Sequence, residues 1–381
     1  MKNVIEKDQC TGCGACWQRC PVHAIEMRED QEGFLYPLIN EKICIDCKLC
    51  TRICPSVKGP ALQEPRHVYA VKHKDDEIRY NSTSGGVFTA LSDAVLQAGG
   101  IIFGACFDKQ MRVHHASASN TNERNRFRGS KYVQSDTLRT FQEARQVLNE
   151  GHWVLFTGTP CQISGLKAYL GKEYDKLVTC DLICHGVPSP TVFQEHLEYL
   201  KRRYGKSIVD YDFRAQWRGK HIKVQFCDGT EISDHRDILT FTNLFYTHMI
   251  LRPVCYRCQY AKTDRGSDIT IADFWGIERE EPDFNDQVGI SLVLINTAKG
   301  EKLFNKCGGV IDWRECTLDG CLQPQLQHPP YRPPGRQEFW DDYKKLDFVH
   351  TCKKYADYGF IASIRKLLYQ WKVRLKMKNG G

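Results

Sequence analysis

The 381-residue chain has no apolar run approaching the ~18–20 residues needed to cross a membrane, and it reaches Cys10 without the apolar core of a secretory signal. These absences point to a cytoplasmic protein. The chain also lacks a basic body: six of its net seven positive charges come from Arg365, Lys366, Lys372, Arg374, Lys376 and Lys378, with no acid among residues 361–381. A nucleic-acid binder spreads cations over a face of its fold, so nucleic acid is set aside as a partner. With 41% hydrophobic and 26% charged residues, the composition excludes disordered and collagen-like classes.

What is abundant is cysteine, at nineteen residues. In a reducing compartment this number argues against a disulfide framework and for thiolate metal ligands. The length suits two or three domains. Eight cysteines fall before residue 58, and Lys58 to Pro65 reads as a linker, so residues 1–60 form one expected unit. From Val68 the pattern becomes alternating strand and helix, the mark of an α/β core. Val68 to Val71, Ile101 to Phe107, Trp153 to Phe156 and Leu177 to Cys184 read as strands; Val87, Leu91 and Val95 share one helix face. Thr159 is the expected N-cap of a helix with Pro160 in its first position. Five of the fifteen prolines lie between Pro324 and Pro334, which places the end of the compact domain near residue 322 and leaves 323–381 as a Pro-rich linker and tail.

Cys10, Cys13, Cys16 and Cys20 precede Pro21, and Cys44, Cys47, Cys50 and Cys54 precede Pro55. Each run reads C-x2-C-x2-C-x3-C-P. In this spacing three thiolates hold one cubane and the fourth crosses to the other. Cys10, Cys13, Cys16 and Cys54 are therefore assigned to one 4Fe-4S centre, and Cys44, Cys47, Cys50 and Cys20 to a second. Paired zinc knuckles are the competing reading, but they have no need of two such runs with the same trailing proline. The fold expected for residues 1–60 is an α+β, bacterial-type two-cluster ferredoxin, a carrier of single electrons.

Further on lie Cys161, Cys180, Cys184 and the pair Cys255 and Cys258. Cys161 and Cys184 follow expected strands and so belong at strand carboxyl ends, where ligands gather in α/β sheets. A third cluster is one reading; buried thiols beside a zinc half-site or redox pair is the other. The turn Ser84-Gly85-Gly86 before a helix offers backbone N–H groups to a phosphate, and each of the loops Arg128 to Tyr132 and Thr157-Gly158-Thr159 reads as a binding loop or as an ordinary one.

Five ordered stretches resemble the family of coenzyme F420 hydrogenase/dehydrogenase beta subunits: Ser-Thr-Ser-Gly-Gly-Val-Phe-Thr-Ala-Leu at 82–91, Arg-Gly-Ser-Lys-Tyr-Val-Gln-Ser at 128–135, Phe-Thr-Gly-Thr-Pro-Cys-Gln at 156–162, Asp-Leu-Ile-Cys-His-Gly-Val-Pro-Ser-Pro at 181–190, and Ser-Asp-Ile-Thr-Ile-Ala-Asp-Phe-Trp-Gly at 267–276. The resemblance covers about residues 66–320, which it divides into a region 66–150 and a region 151–322. It implies an α/β domain carrying FAD and a further 4Fe-4S cluster, three clusters in all, with the additional one held by Cys161, Cys184, Cys255 and Cys258. Cys180 is left out as a strand residue. Flavin and phosphate contacts are expected at Ser84, Gly85, Gly86, Lys131, Tyr132, Thr157, Gly158 and Thr159. Asp273 is a ribose or flavin partner, or else a cap.

The function expected from the resemblance is an oxidoreductase passing electrons between a ferredoxin or other redox protein and an unidentified small acceptor at FAD. Lys131 would stabilise an anionic reduced flavin, and His185 would donate a proton unless it only bonds backbone. The alternatives are an electron-transfer subunit without its own substrate, in a homo- or hetero-oligomer, and a deazaflavin coenzyme reductase. Ile361, Ile364, Leu368, Trp371 and Leu375 share one side of an expected basic helix, which either packs on its own domain or docks to an acidic partner or anionic membrane face.

Overall fold

The computed structural model describes residues 2–82, 84–215 and 222–356. The expected basic helix at 361–375 lies outside them. Strands Lys2–Asn3, Ile25–Glu29 and Leu35–Ile39 form a small antiparallel sheet, with the last in the middle. Phe34, Tyr36 and Cys10 make its buried core. The cysteine runs lead into short helices, Ala15–Arg19, Leu49–Arg52 and Pro55–Lys58, and the first two pack together.

The main body is α/β, as read from the alternation. Eight strands run in the order Ile311–Glu315, His67–His73, Ser291–Ile295, Ile269–Asp273, Leu177–Leu182, Val154–Gly158, Ile101–Phe107, Val113–Ala118. The four from Ile269–Asp273 to Ile101–Phe107 are parallel neighbours, and the outer pairings are antiparallel. Alternation along the strands sends side chains to two different cores. Ile102, Leu155 and Val178 meet Val87, Leu91 and Val95 of helix Val87–Gln97 on one face. Phe103, Phe156 and Leu177 meet Phe141, Ile163 and Leu166 on the other, and Cys13 and Ala15 join that cluster. The cysteine-rich unit therefore sits on the helix Pro160–Leu170 side of the sheet. Ser291–Ile295 is buried along its whole length because both faces are covered.

Strands from both sides of residue 150 share one sheet, so the two family regions pack as one body. The proline cluster does not end that body: helices Arg336–Tyr343 and Phe348–Tyr355 bury Phe339, Trp340, Phe348 and Cys352 against Leu197, Phe241 and Leu244. Prolines punctuate helix starts as readily as domain ends, and here large apolar residues resume at Phe339 and Trp340, in the helix that follows. Among the described residues no helix is long and apolar enough to cross a membrane.

Candidate iron-sulfur and flavin sites

Helix Pro160–Leu170 organises the site. Thr159 caps it through a reciprocal bond set with Gln162, and Pro160 occupies its first turn as expected. This places Cys161 at the carboxyl edge of the parallel strands. Cys184 follows strand Leu177–Leu182 at the same edge, and the 3-10 turn Pro253–Arg257 carries in Cys255, with Cys258 next after it. All four line one cavity of ≈ 290 Å³. Burial pushes the Cys161 thiol to about 11 and Cys255 to about 12, with neighbouring thiols adding to the shift. Burial also drives Cys184 well above its ordinary range, with repulsion from Cys255 and Cys161 next. Four partly buried thiols around one cavity, opposing each other's ionisation, call for a cationic centre, so the donor set fits a bound iron cluster.

A second cavity is lined by Cys10, Cys13, Cys16 and Cys54, the set assigned from spacing. Gly12 and Gly14 take left-handed φ of 71° and 76° within it, turning the loop so that three thiols face inward. Burial raises Cys13 to about 12, and Cys10, Cys54 and Cys161 act on it as like charges. Cys54 is raised by burial and held back by the backbone N–H groups of Ser56 and Val57. Cys44 and Cys50 lie near Lys48 in an open loop where Cys47 is exposed. Cys20 accepts a hydrogen bond from the Ala24 N–H at 3.2 Å. Among the described residues no three His, Cys, Asp or Glu side chains converge on a point fit for one metal ion.

Cys180 is buried in the sheet core beside Val178 and Leu155, apart from these sets. Cys106, Cys307, Cys321 and Cys352 are likewise buried.

The expected flavin contacts also gather at the carboxyl edge. Ser84 Oγ lies 3.2 Å from Ser291 Oγ, and Ser291 pairs with Asp273 across the strands. Asp273 binds Arg214 at 2.5 Å, while the Tyr132 ring stacks on Phe245, 5.4 Å between centroids. His185 packs edge-on against the same Phe245. Its Nδ1 lies 2.8 Å from Gln325 Nε2 and its Nε2 lies 2.7 Å from His248 Nε2, so both ring nitrogens are engaged by side chains. Lys131 donates to the carbonyls of Arg126 and Arg128 at 2.8 and 2.7 Å, and burial lowers its ammonium to about 8. Thr157 Oγ1 donates to the Phe103 carbonyl, and the Thr157 carbonyl meets the buried His115 ring.

The two glycines of the expected phosphate turn have a packing role of their own. A Cβ on Gly85 would lie 2.1 Å from the Val71 carbonyl oxygen, and one on Gly86, at φ 81°, would lie 2.9 Å from His73 Cβ. The helix start itself is free of a side-chain cap. Close by, Arg128 Nε is buried without a hydrogen-bond partner among the described residues. An uncapped helix N-terminus beside an unsatisfied guanidinium nitrogen fits the pyrophosphate of FAD.

Arg252 and Gly165, both central to the geometry, were not singled out from the sequence. The one available signal was the proximity of Arg252 to Cys255.

Residues 151–317 match the family described as the C terminus of the coenzyme F420 hydrogenase/dehydrogenase beta subunit, and residues 9–57 match the 4Fe-4S dicluster domain. Relatives include the F component of the F(420)H(2) dehydrogenase of Methanosarcina mazei, 27% identical over 190 residues, covering 47% of this chain and 53% of that protein. The coenzyme F420-dependent sulfite reductase of Methanocaldococcus jannaschii is 25% identical over 313 residues, covering 80% of this chain and 47% of that protein. The chain spans about half the length of these curated relatives. A chain of the F420-reducing [NiFe] hydrogenase complex from Methanosarcina barkeri superimposes with a TM-score of 0.45 at 19% identity, covering 77% of this chain and 91% of that one.

Proposed function

A member of the family of coenzyme F420 hydrogenase/dehydrogenase beta subunits through residues 151–317, with a 4Fe-4S dicluster domain at residues 9–57, this chain is, we propose, a cytoplasmic iron-sulfur flavoprotein. It exchanges single electrons with a ferredoxin-type carrier and two electrons with a small acceptor. Bound clusters supply one-electron transfer and bound FAD two-electron transfer, which is the conversion this combination provides.

One observation carries the reading. Cys161 stands in the first turn of helix Pro160–Leu170, and Gly165, one turn later, lies against Cys13. Two four-thiol sets thus share one helix, a separation short enough for electron exchange. Cys10, Cys13, Cys16 and Cys54 hold one cluster, Cys44, Cys47, Cys50 and Cys20 the second, and Cys161, Cys184, Cys255 and Cys258 the third. Thiols ringing a cavity suit a cubane better than a single tetrahedral zinc. Ser84, Gly85, Gly86 and Arg128 form the phosphate end of the flavin site. Tyr132, Asp273 and the Thr157 to Thr159 turn line the remainder. Lys131 braces the 126–130 loop, and His185 would donate a proton only through the nitrogen it shares with His248.

The name of the Methanosarcina mazei relative, one component of a dehydrogenase, favours a second reading. In it the chain passes electrons within a hydrogenase or dehydrogenase complex and has no substrate of its own, or its acceptor is the deazaflavin coenzyme.

Anaerobic purification with iron, sulfide and flavin analysis tests the cofactors, with roughly 12 iron atoms and one FAD expected per chain. Eight irons would remove the third cluster. Turnover of the isolated chain with an artificial donor and a panel of acceptors, deazaflavin included, separates the enzyme from the electron-transfer module.

A further inference from the structure

Arg252 is fully buried, and among the described residues no carboxylate pairs with it. Its Nε donates to the Cys10 carbonyl at 2.7 Å, its Nη1 to Gln134 Oε1 at 2.8 Å, and its Nη2 to the Leu35 carbonyl at 2.9 Å. Nη2 also lies 3.7 Å from the sulfur of Cys10. The guanidinium faces the Tyr36 ring at 4.2 Å and the Phe34 ring at 5.4 Å. A Cβ on Gly12 would lie 2.7 Å from Nη1, so the glycine keeps room for it. On its other side Arg252 lines the cavity ringed by Cys161, Cys184, Cys255 and Cys258.

A guanidinium withdrawn from water is costly without a counter-charge, and neutral hydrogen-bond acceptors supply only part of it. Here the missing negative charge has two sources, one on each side. Four thiolates around a 4Fe-4S core leave the whole centre anionic, and each added electron makes it more so. A fixed cation nearby therefore favours the reduced form and raises the reduction potential.

We propose that Arg252 is the shared counter-charge of the Cys10 and Cys161 centres and holds both their potentials higher than they would stand without it. The proposal rests on the reading of both thiol sets as cluster ligands. It makes Arg252 a tuning residue of the electron path, one that sets the driving force between neighbouring centres.

The test is an EPR-monitored redox titration of the full chain, purified anaerobically, with iron counted in every sample. Signals of the Cys161 centre are identified by their loss in Cys184→Ser. Arg252→Gln, which removes the charge, should shift the midpoints of both centres to more negative values. Arg252→Lys, which keeps it, should return them toward the parent. Gln134→Glu leaves Arg252 in place and sets a carboxylate against it, giving up only the Gln134 Nε2 bond to the Thr11 carbonyl; it too should shift the Cys10 centre negative. Full iron with unmoved midpoints in Arg252→Gln, or the same shift in the Lys and Gln variants, would overturn the role of the charge. If Arg252→Gln loses its iron, Gln134→Glu decides: a negative shift supports the proposal and an unchanged midpoint ends it. Absence of iron at these sets in the parent protein would sink the cluster reading itself, which is a separate result.

Discussion

Gly165 lies against Cys13 so closely that a Cβ added to the glycine would stand 2.8 Å from the Cys13 sulfur. The helix that opens with Cys161 is thereby pressed onto Cys13 of the other thiol set. Overpacking here has no free direction, since Phe141 stands 3.4 Å away. Gly165→Val should lose the Cys10 centre, about a third of the iron, and lower thermal stability by roughly 1–3 kcal/mol. Full iron and an unaltered EPR spectrum would show that the contact relaxes without cost.

Cys184 and Cys180 are four residues apart but face different surroundings, one a cavity with three other thiols and the other a sheet core. Cys184→Ser is expected to remove about a third of the iron and to slow flavin reduction by a one-electron donor. Cys180→Ser should keep its iron while losing some stability from the buried hydroxyl. Equal iron loss in both would refute the ligand assignment.

Removing the unsatisfied Arg128 nitrogen probes the phosphate end of the proposed flavin site. Arg128→Gln should purify with less FAD but with unchanged iron, and added FAD should bind at least several-fold more weakly, as for loss of a charge-assisted bond. Unchanged flavin affinity would move the pyrophosphate elsewhere. Gly86→Val is a poorer probe, because the side chain would also strike His73.

His115 is buried against Phe156 and bonded to Ser135 and the Thr157 carbonyl, and burial lowers its pKa to about 4. Its folded pKa lies below the unfolded value of about 6.5, so the unfolded chain binds the extra proton first. Stability from this group is complete above about pH 6.5 and is lost as pH falls toward 4, to a limit on the order of 3 kcal/mol. Urea unfolding between pH 7 and 5 should show a falling slope that flattens in His115→Gln. A slope unchanged by the substitution would assign the acid sensitivity to other groups.

Spacing made Cys10, Cys13 and Cys16 legible as a group because they lie in one short loop, and the paired C-x2-C-x2-C-x3-C-P runs supplied Cys54 as the thiol that crosses from the second run. The cap at Thr159 and the strands were legible for a similar reason, since both depend on neighbours within a few residues. The packing of residues beyond 322 was not legible, because whether Phe339 and Trp340 bury depends on partners far away in the chain, Leu244 among them. Lys131 and His185 were recognisable as chemistry-bearing residues, but their bonds to the Arg126 and Arg128 carbonyls, Gln325 and His248 could not be read from local pattern.

Local sequence thus determined the α/β alternation, the ferredoxin-type cysteine runs and the short motifs at the strand ends, all of which rest on short-range stereochemistry. Tertiary structure alone decided that four thiols from three distant segments ring one cavity, that Gly165 seats this helix on Cys13, and that a buried arginine with no carboxylate partner among the described residues stands between the two sets. Those arrangements depend on which faces the sheet and helices must bury against each other, and burial is a property of the whole packed chain.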